Sequence, residues 1–407
     1  MKKIKTLFKP LLLIVVMLFL FVTSCTNEEG EMQIIESEAL VGFSSEPIDG
    51  QFIITMEGES VVRKSNLKYK EGKKEMKKEI LAKFANIALS EDEIIHTYGH
   101  TLHGFAAKLN KQQLEVLKKD KRVKRIEQDQ LVTLAKPSWA GGGGNDPVAE
   151  QATPWGIARV NGGADGTGKT AWVIDSGIDL DHPDLNVDEA RSRSFLGGKD
   201  ANDPDDANGH GTHVAGTIAA IDNDEGVIGV AAGATVISVR VLNRRGSGSF
   251  SGVIAGVEYV GANGEAGDVA NMSLGGGASQ ALDDAVVAAS NPVIFCLAAG
   301  NESDDANNHS PARANGPNIV TVSASTSSDN FASYSNYGNP PIDWCAPGSG
   351  IESTWKNGGY NTISGTSMAT PHVAGVLLLN PNVSTNGLST VNGDRDNSPD
   401  VIIEYQN

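Results

Sequence analysis

From about Thr153 onward the apolar positions fall in short unbroken runs, TAWVID, TVISVRVL, VANMSL, PVIFCLAAGN and NIVTVSAS. They alternate with segments of helical spacing, GTHVAGTIAAI, SGVIAGVEYVG and QALDDAVVAAS. A strand that is apolar on both faces has to be covered on both, so this alternation predicts an α/β fold: a mostly parallel twisted sheet with helices on both faces. In such sheets polar function gathers at the carboxyl ends of the strands. Upstream the pattern is different. QFIITM and LHGFAAKL read as strands, KKEMKKEILAKFANIAL and NKQQLEVLKKD as helices, and VKRIEQDQLVTLA as a last strand, which predicts a small α+β module over residues 51–135. The Gly/Pro-rich stretch KPSWAGGGGNDPVAE, residues 136–150, separates the two as a linker.

The ends of the chain add a destination. MKKIKTLFKP followed by LLLIVVMLFLFV has the basic and short apolar parts of a secretory signal peptide, residues 1–24, and VTSC resembles a bacterial lipobox that would place a lipid on Cys25. Residues 25–50 then read as a polar tether. The body, residues 151–380, is followed by a short polar segment, 381–407, to which no element is assigned. Before residue 136 there are 21 Lys+Arg against 19 Asp+Glu, and from there on 12 against 31, a net charge of −19. A body that acidic lacks the basic footprint of nucleic-acid binding. Its opposite sign to the 51–135 module, with 17 Lys+Arg and 12 Asp+Glu, favours their association by net charge, which salt would weaken. Cys296 and Cys345 sit in apolar runs, and their pairing is open from sequence.

The candidate chemistry lies at element boundaries. Asp175 ends the run AWVID, His210 opens HGTHVAG, and Ser367 opens the helix in GTSMATPHVAG. A serine hydroxyl needs a base to take its proton, imidazole suits that task, and a buried carboxylate fixes its tautomer. His210 and His213 are also spaced to hold a metal from one helix face. A zinc site would want a third ligand and an adjacent acid, and no Glu follows His210.

VIDSGIDLDHPDL, NGHGTHVAGTIAAIDNDEGVIGVA, VANMSLGG, LAAGNES and SGTSMATPHVAG together resemble, in order, the subtilases, the subtilisin and proteinase K family of serine endopeptidases, over residues 151–376. The Asp, His, Ser chain order is the one known for subtilisin. The resemblance implies a subtilisin-like fold and an Asp175–His210–Ser367 triad, with His213 packed into its helix. It implies Asn301 as an oxyanion donor, and Gly246, Ser247, Gly248, Phe250, Ser273, Leu274, Gly275 and Glu302 as substrate contacts, the two glycine-bearing stretches sandwiching a peptide as an added strand. It implies structural calcium, held by Gln151, Asp184 and Asn223 side chains with Ile221, Glu225 and Val227 carbonyls, and a second site of Asp343 with Pro317 and Ile319 carbonyls. No catalytic metal is implied.

Residues 51–135 resemble the subtilase propeptide, an intramolecular inhibitor whose last strand enters the cleft, with self-cleavage near Ala135. The expected product is an exported, self-processed, monomeric protease of broad specificity toward proteins and peptides. Its precursor would be anchored by lipid and its mature form periplasmic or extracellular. Two rival classes remain. A sedolisin-type serine-carboxyl peptidase lacks the histidine motif found here, and a catalytically inactive lipid-anchored binding protein would not need the intact catalytic positions. An α/β-hydrolase would place its serine in G-x-S-x-G, which is absent.

Overall fold

The computed structural model describes residues 43–134, 150–396 and 398–406. The signal-peptide and lipidation readings at residues 1–25, most of the linker, and Ala135 lie outside the described residues.

The N-terminal module is an antiparallel sheet with helices on one face. Its elements are β1 (Phe43–Met56), α1 (Tyr69–Lys83), β2 (Ile94–Tyr98), β3 (Gly104–Lys108), α2 (Lys111–Leu117) and β4 (Val123–Leu134). Ile54, Met76, Ile80, Phe84 and Phe105 close its core. A capping box starts α2: Asn110 accepts from the Gln113 N–H, and Gln113 accepts from the Asn110 N–H. The sequence pattern passes over β2, whose five residues are too few to show alternation. It also places the module's start late. β1 begins at Phe43, inside the segment read as tether, because Phe43–Pro47 finds partners at residues 130–134 of β4.

The body contains β5 (Thr170–Asp175), α3 (His210–Ala219), β6 (Thr235–Arg240), β7 (Ser247–Ser249), α4 (Phe250–Asn263), β8 (Val269–Met272), α5 (Gln280–Ala289), β9 (Ile294–Ala298), β10 (Ile319–Ser325), β11 (Ile342–Pro347) and α6 (Thr366–Leu379). Among the described residues eight strands pair in parallel, six of them in the order β11-β10-β9-β8-β5-β6, with the two-residue strands Asn186–Val187 and Arg193–Ser194 on the far side of β6. The switch in strand order falls at β5, so Asp175 ends its strand where a crevice opens. Every residue of α3 is buried, and α6 is buried from Thr366 to Leu378. Their sequences therefore lack a polar face, as expected of helices inside a core.

The C-terminal segment returns to the sheet. The Cys345 N–H donates to Val401 O and the Ile403 N–H to Cys345 O, so residues 401–403 cover the outer edge of β11. Arg159 fastens this return through Asp329 (2.8 Å) and Glu404 (2.6 Å).

Cys296 lies on β9 and Cys345 on β11, with β10 between them. An intervening strand sets them apart by about two strand spacings, beyond the reach of a disulfide. Both are free and fully buried. Burial pushes the Cys345 thiol up to about 12, and the Cys296 thiol also rises from its ordinary value for the same reason. Neither should react with a maleimide in the folded protein, and both should react at once on denaturation without reductant. Mass spectrometry of the labelled peptides checks this.

Candidate active site

A positioned imidazole begins with a rigid turn. Between β5 and α3 the chain places Asp206, 4% exposed, which accepts from Ser176 Oγ, the Asn208, Gly209 and Thr212 N–H groups, and Thr212 Oγ1. These donors include the orphan N–H groups of the first turn of α3, where a carboxylate is favoured. Gly209 takes φ +114°, and a Cβ there would lie 2.3 Å from the Trp355 ring. His210 is thereby presented at the helix start. Its Nδ1 lies 2.8 and 3.0 Å from the two oxygens of Asp175, and its Nε2 is buried with no hydrogen-bond partner among the described residues. An Asp175 carboxylate on Nδ1 fixes that nitrogen as the protonated one and leaves Nε2 with a lone pair.

Ser367 sits in the first turn of α6, 0% exposed, and its Oγ donates to Ser273 O at 3.2 Å. Four residues on, Pro371 has no N–H to give to the Ser367 carbonyl. Ser273 Oγ supplies the missing bond at 2.8 Å. The pair of serines thus locks the helix start to the end of β8. Asn301, after β9, accepts through Oδ1 from the Thr366 N–H at 2.8 Å, which fixes the plane of its amide beside Ser367.

His213 has a different environment. Its Nε2 meets Ile351 O at 2.9 Å, and burial pushes its pKa down to about 3. It is a neutral packed histidine.

The glycine-bearing edges are both in use. β7 pairs antiparallel with β4, Ser247 to Thr133, Gly248 to Val132 and Ser249 to Leu131, and the Leu134 N–H donates to Gly246 O at 2.9 Å. Val132 is fully buried and Leu134 nearly so. Leu274 is buried, and Phe250, expected to line a pocket, is 1% exposed as the first residue of α4. The second edge meets β4 at Gln130, whose Nε2 donates to Ala278 O at 3.5 Å, and meets β1 at Phe43. Gly275 faces the Phe43 ring, and Glu302 Oε1 accepts from the Phe43 N–H at 3.2 Å.

Sequence reasoning missed what holds the module down. Glu258, in the middle of α4 and 1% exposed, accepts from the Gly99, His100 and Thr101 N–H groups at 2.6–2.8 Å and from Thr101 Oγ1. In return Asp129 accepts from the Ser251 N–H at the start of α4, and Glu127 from Ser279 Oγ and the Ala281 N–H at the start of α5. Among the described residues one ion pair crosses, Arg125–Asp284. Much of the hold is made of carboxylates on N–H and O–H donors, two of them contributed by the nominally basic module. The alternation E-Q-D-Q in β4 is the only trace of this in the sequence.

For calcium, Asp184 is 1% exposed and makes no ion pair among the described residues. Its oxygens accept from Asn223 Nδ2, the Val227 N–H and Tyr360 Oη, and burial raises it to about 6. Gln151 turns its amide to the Ile221 and Val227 carbonyls. Gln151, Asp184, Ile221, Asn223 and Val227 therefore lie together, with Glu225 in the same loop, and the Asp184 carboxylate and the Ile221 and Val227 carbonyls are oxygen donors of the kind calcium takes. Asp343 accepts from the Thr321 N–H at 2.9 Å, while Ile319 begins β10 and Pro317 precedes it. Among the described residues no three His, Cys, Asp or Glu side chains are placed to share a metal ion.

A family model described as the subtilase family matches residues 166–390, and one described as peptidase inhibitor I9 matches residues 51–135. The chain is 46% identical to alkaline serine exoprotease A of Vibrio alginolyticus, over 70% of its own length and 53% of the Vibrio protein's. It is 42% identical to an extracellular serine proteinase of Thermus sp. (strain Rt41A), over 72% of this chain and 70% of that protein. A crystal structure of a cold adapted subtilisin-like serine proteinase is similar at TM-score 0.51 and 43% identity, covering 62% of this chain and 98% of the other.

His213 generates a pH test. Its folded-state pKa is below the ordinary value of 6.5, so below that pH the unfolded chain binds more protons and stability falls. His213→Gln keeps a donor for Ile351 O and removes the titration. It should flatten the fall in unfolding free energy between about pH 6.5 and 3 by about 1.4 kcal/mol per pH unit. Urea titrations across that range, on a Ser367→Ala background, measure it.

Proposed function

The chain belongs to the subtilase family, and we propose that Asp175, His210 and Ser367 form its catalytic triad, with Asn301 as oxyanion donor. It is a subtilisin-like serine endopeptidase, made with an inhibitory N-terminal module. The observation that carries the triad is the state of His210: both oxygens of Asp175 on Nδ1, and a buried Nε2 with no partner among the described residues.

With substrate in the cleft, the Ser367 hydroxyl leaves the Ser273 carbonyl by rotation about Cα–Cβ and gives its proton to His210 Nε2. Its oxygen attacks the scissile carbonyl, and the imidazolium is stabilised by Asp175. Asn301 Nδ2 and the Ser367 N–H then meet the developing oxyanion. Removing such a side-chain donor costs about 2.7–4 kcal/mol of barrier, a range known from the related subtilisin. The imidazolium returns its proton to the leaving amine, and water repeats the cycle on the acyl-enzyme. Neither an inactive binding protein nor a sedolisin-type enzyme would need His210 in this state.

The substrates are extended segments of proteins and peptides, bound main chain to main chain, as residues 131–134 are against β7. The processed bond then lies near Ala135, just beyond this paired segment. The protease is exported. The lipobox-like VTSC puts a lipid on Cys25 of the precursor, and cleavage near Ala135 separates that anchor from the enzyme.

Ser367→Ala should abolish casein hydrolysis and leave a full-length protein in the membrane fraction, whereas the wild type yields a soluble mature protease. Casein hydrolysis by the mutant would refute the triad. Mature wild-type enzyme held in a salt-washed membrane pellet would refute release.

Calcium at Gln151, Asp184, Asn223 and the 221–227 carbonyls neutralises a buried carboxylate and pins the loop after α3. Chelation should lower the melting temperature by about 5–10 °C, as expected for loss of an ion present at about a hundred times its dissociation constant. Calorimetry with confirmed metal loss checks this.

A further inference from the structure

Between β7 and the Gly275–Gly277 edge lies a second strand besides residues 131–134. Phe43–Pro47 pairs antiparallel with β4, Phe43 to Leu134, Ser44 to Thr133, Ser45 to Val132, Glu46 to Leu131 and Pro47 to Gln130. Its side chains alternate. Phe43 and Ser45 are half-buried, while Ser44 and Glu46 are exposed. The inward pair meets the body. Ser45 Oγ accepts from the Gly277 N–H at 2.8 Å, the Phe43 ring lies against Gly275, and the Phe43 N–H donates to Glu302. The close approach depends on missing side chains, since a Cβ at Gly276 would lie 2.9 Å from Ser45 Cβ. β1 reaches this position through an irregularity between Pro47 and Phe52, opposite the point where Asp129 turns into the body.

We propose that Phe43–Pro47 is a second inhibitory strand, which pairs with residues 130–134 and itself occupies the Gly275–Gly277 edge of the peptide cleft. This rests on the protease reading and adds a regulation to it. At that edge, whose Gly276 and Gly277 pair with Ser310 and His309, the Gly277 N–H is taken by Ser45 Oγ from the chain's own N-terminal side. Cutting the bond after Ala135 frees only one of the two strands. Full activity then requires withdrawal of the second, which is covalently part of the module's other end.

The test uses the full-length chain with Ser45→Ala, which removes the acceptor for the Gly277 N–H, and a second variant, Phe43→Gly. Neither residue belongs to the mature enzyme. The lag before activity on a chromogenic peptide, and the half-time of processing on gels, should shorten about fivefold, the factor that one ordinary net hydrogen bond supplies. The kcat/KM of the finally released enzyme should not change. A second readout does not need catalysis: in the Ser367→Ala full-length protein, hydrogen exchange at the Gly277 amide should accelerate on Ser45→Ala. An unchanged or longer lag together with unchanged Gly277 exchange overturns the second strand. Wild-type protein with no peptidase activity overturns the protease reading instead, while the exchange measurement still decides whether the strand is held at that edge.

Discussion

The carboxylate of Asp206 is the pin of the candidate site. A buried acid with no ion-pair partner among the described residues has to be matched by donors, and here five N–H and O–H groups converge on it. Those donors come from three places: the residue after Asp175, the turn at 208–209 and the first turn of α3. One side chain therefore couples the end of β5 to the start of the helix that carries His210. The Asp175–His210 distance follows from that coupling, because both residues adjoin groups that Asp206 has already fixed.

The same solution recurs across the boundary between module and body. Glu258 is satisfied by three main-chain N–H groups and a hydroxyl, and Asp129 and Glu127 each find the N-terminus of a body helix. Helix N-termini attract carboxylates without any formal positive charge. This explains how an acidic body receives acidic side chains from its inhibitor, and why net charge is a poor guide to how the two are joined. The fully buried Val132 adds an apolar anchor beside β7.

The catalytic candidates were legible because each lies in a contiguous stretch at the end of a strand or the start of a helix, where local sequence and function coincide. The parallel sheet was legible because its strands are apolar on both faces. Asp206, Glu258, Asp129 and Glu127 were not, since a carboxylate in a polar stretch reads as a surface charge until the fold brings N–H groups to it. FSSEP was not either: nothing in a short polar pentapeptide marks a strand whose partner lies 87 residues away. The Ser273–Ser367 exchange was half visible, in the absent N–H of Pro371, but its partner is supplied by tertiary structure. The C-terminal return over β11 is likewise a long-range pairing with no local signal.

Glu258 reads backbone in three of its four hydrogen bonds, the fourth coming from the Thr101 hydroxyl. The three N–H groups it binds, at Gly99, His100 and Thr101, would be offered by any residue except proline, provided that the small one at position 99 stays small, since a Cβ there would lie 2.4 Å from Val62. The burden of recognition is therefore unequal. The inhibitor can drift across most of this contact during evolution without losing its grip, whereas the enzyme has one acid that it cannot exchange. Such an asymmetry lets a propeptide diverge quickly beside a slowly changing protease, and would allow one enzyme to accept inhibitors of quite different sequence.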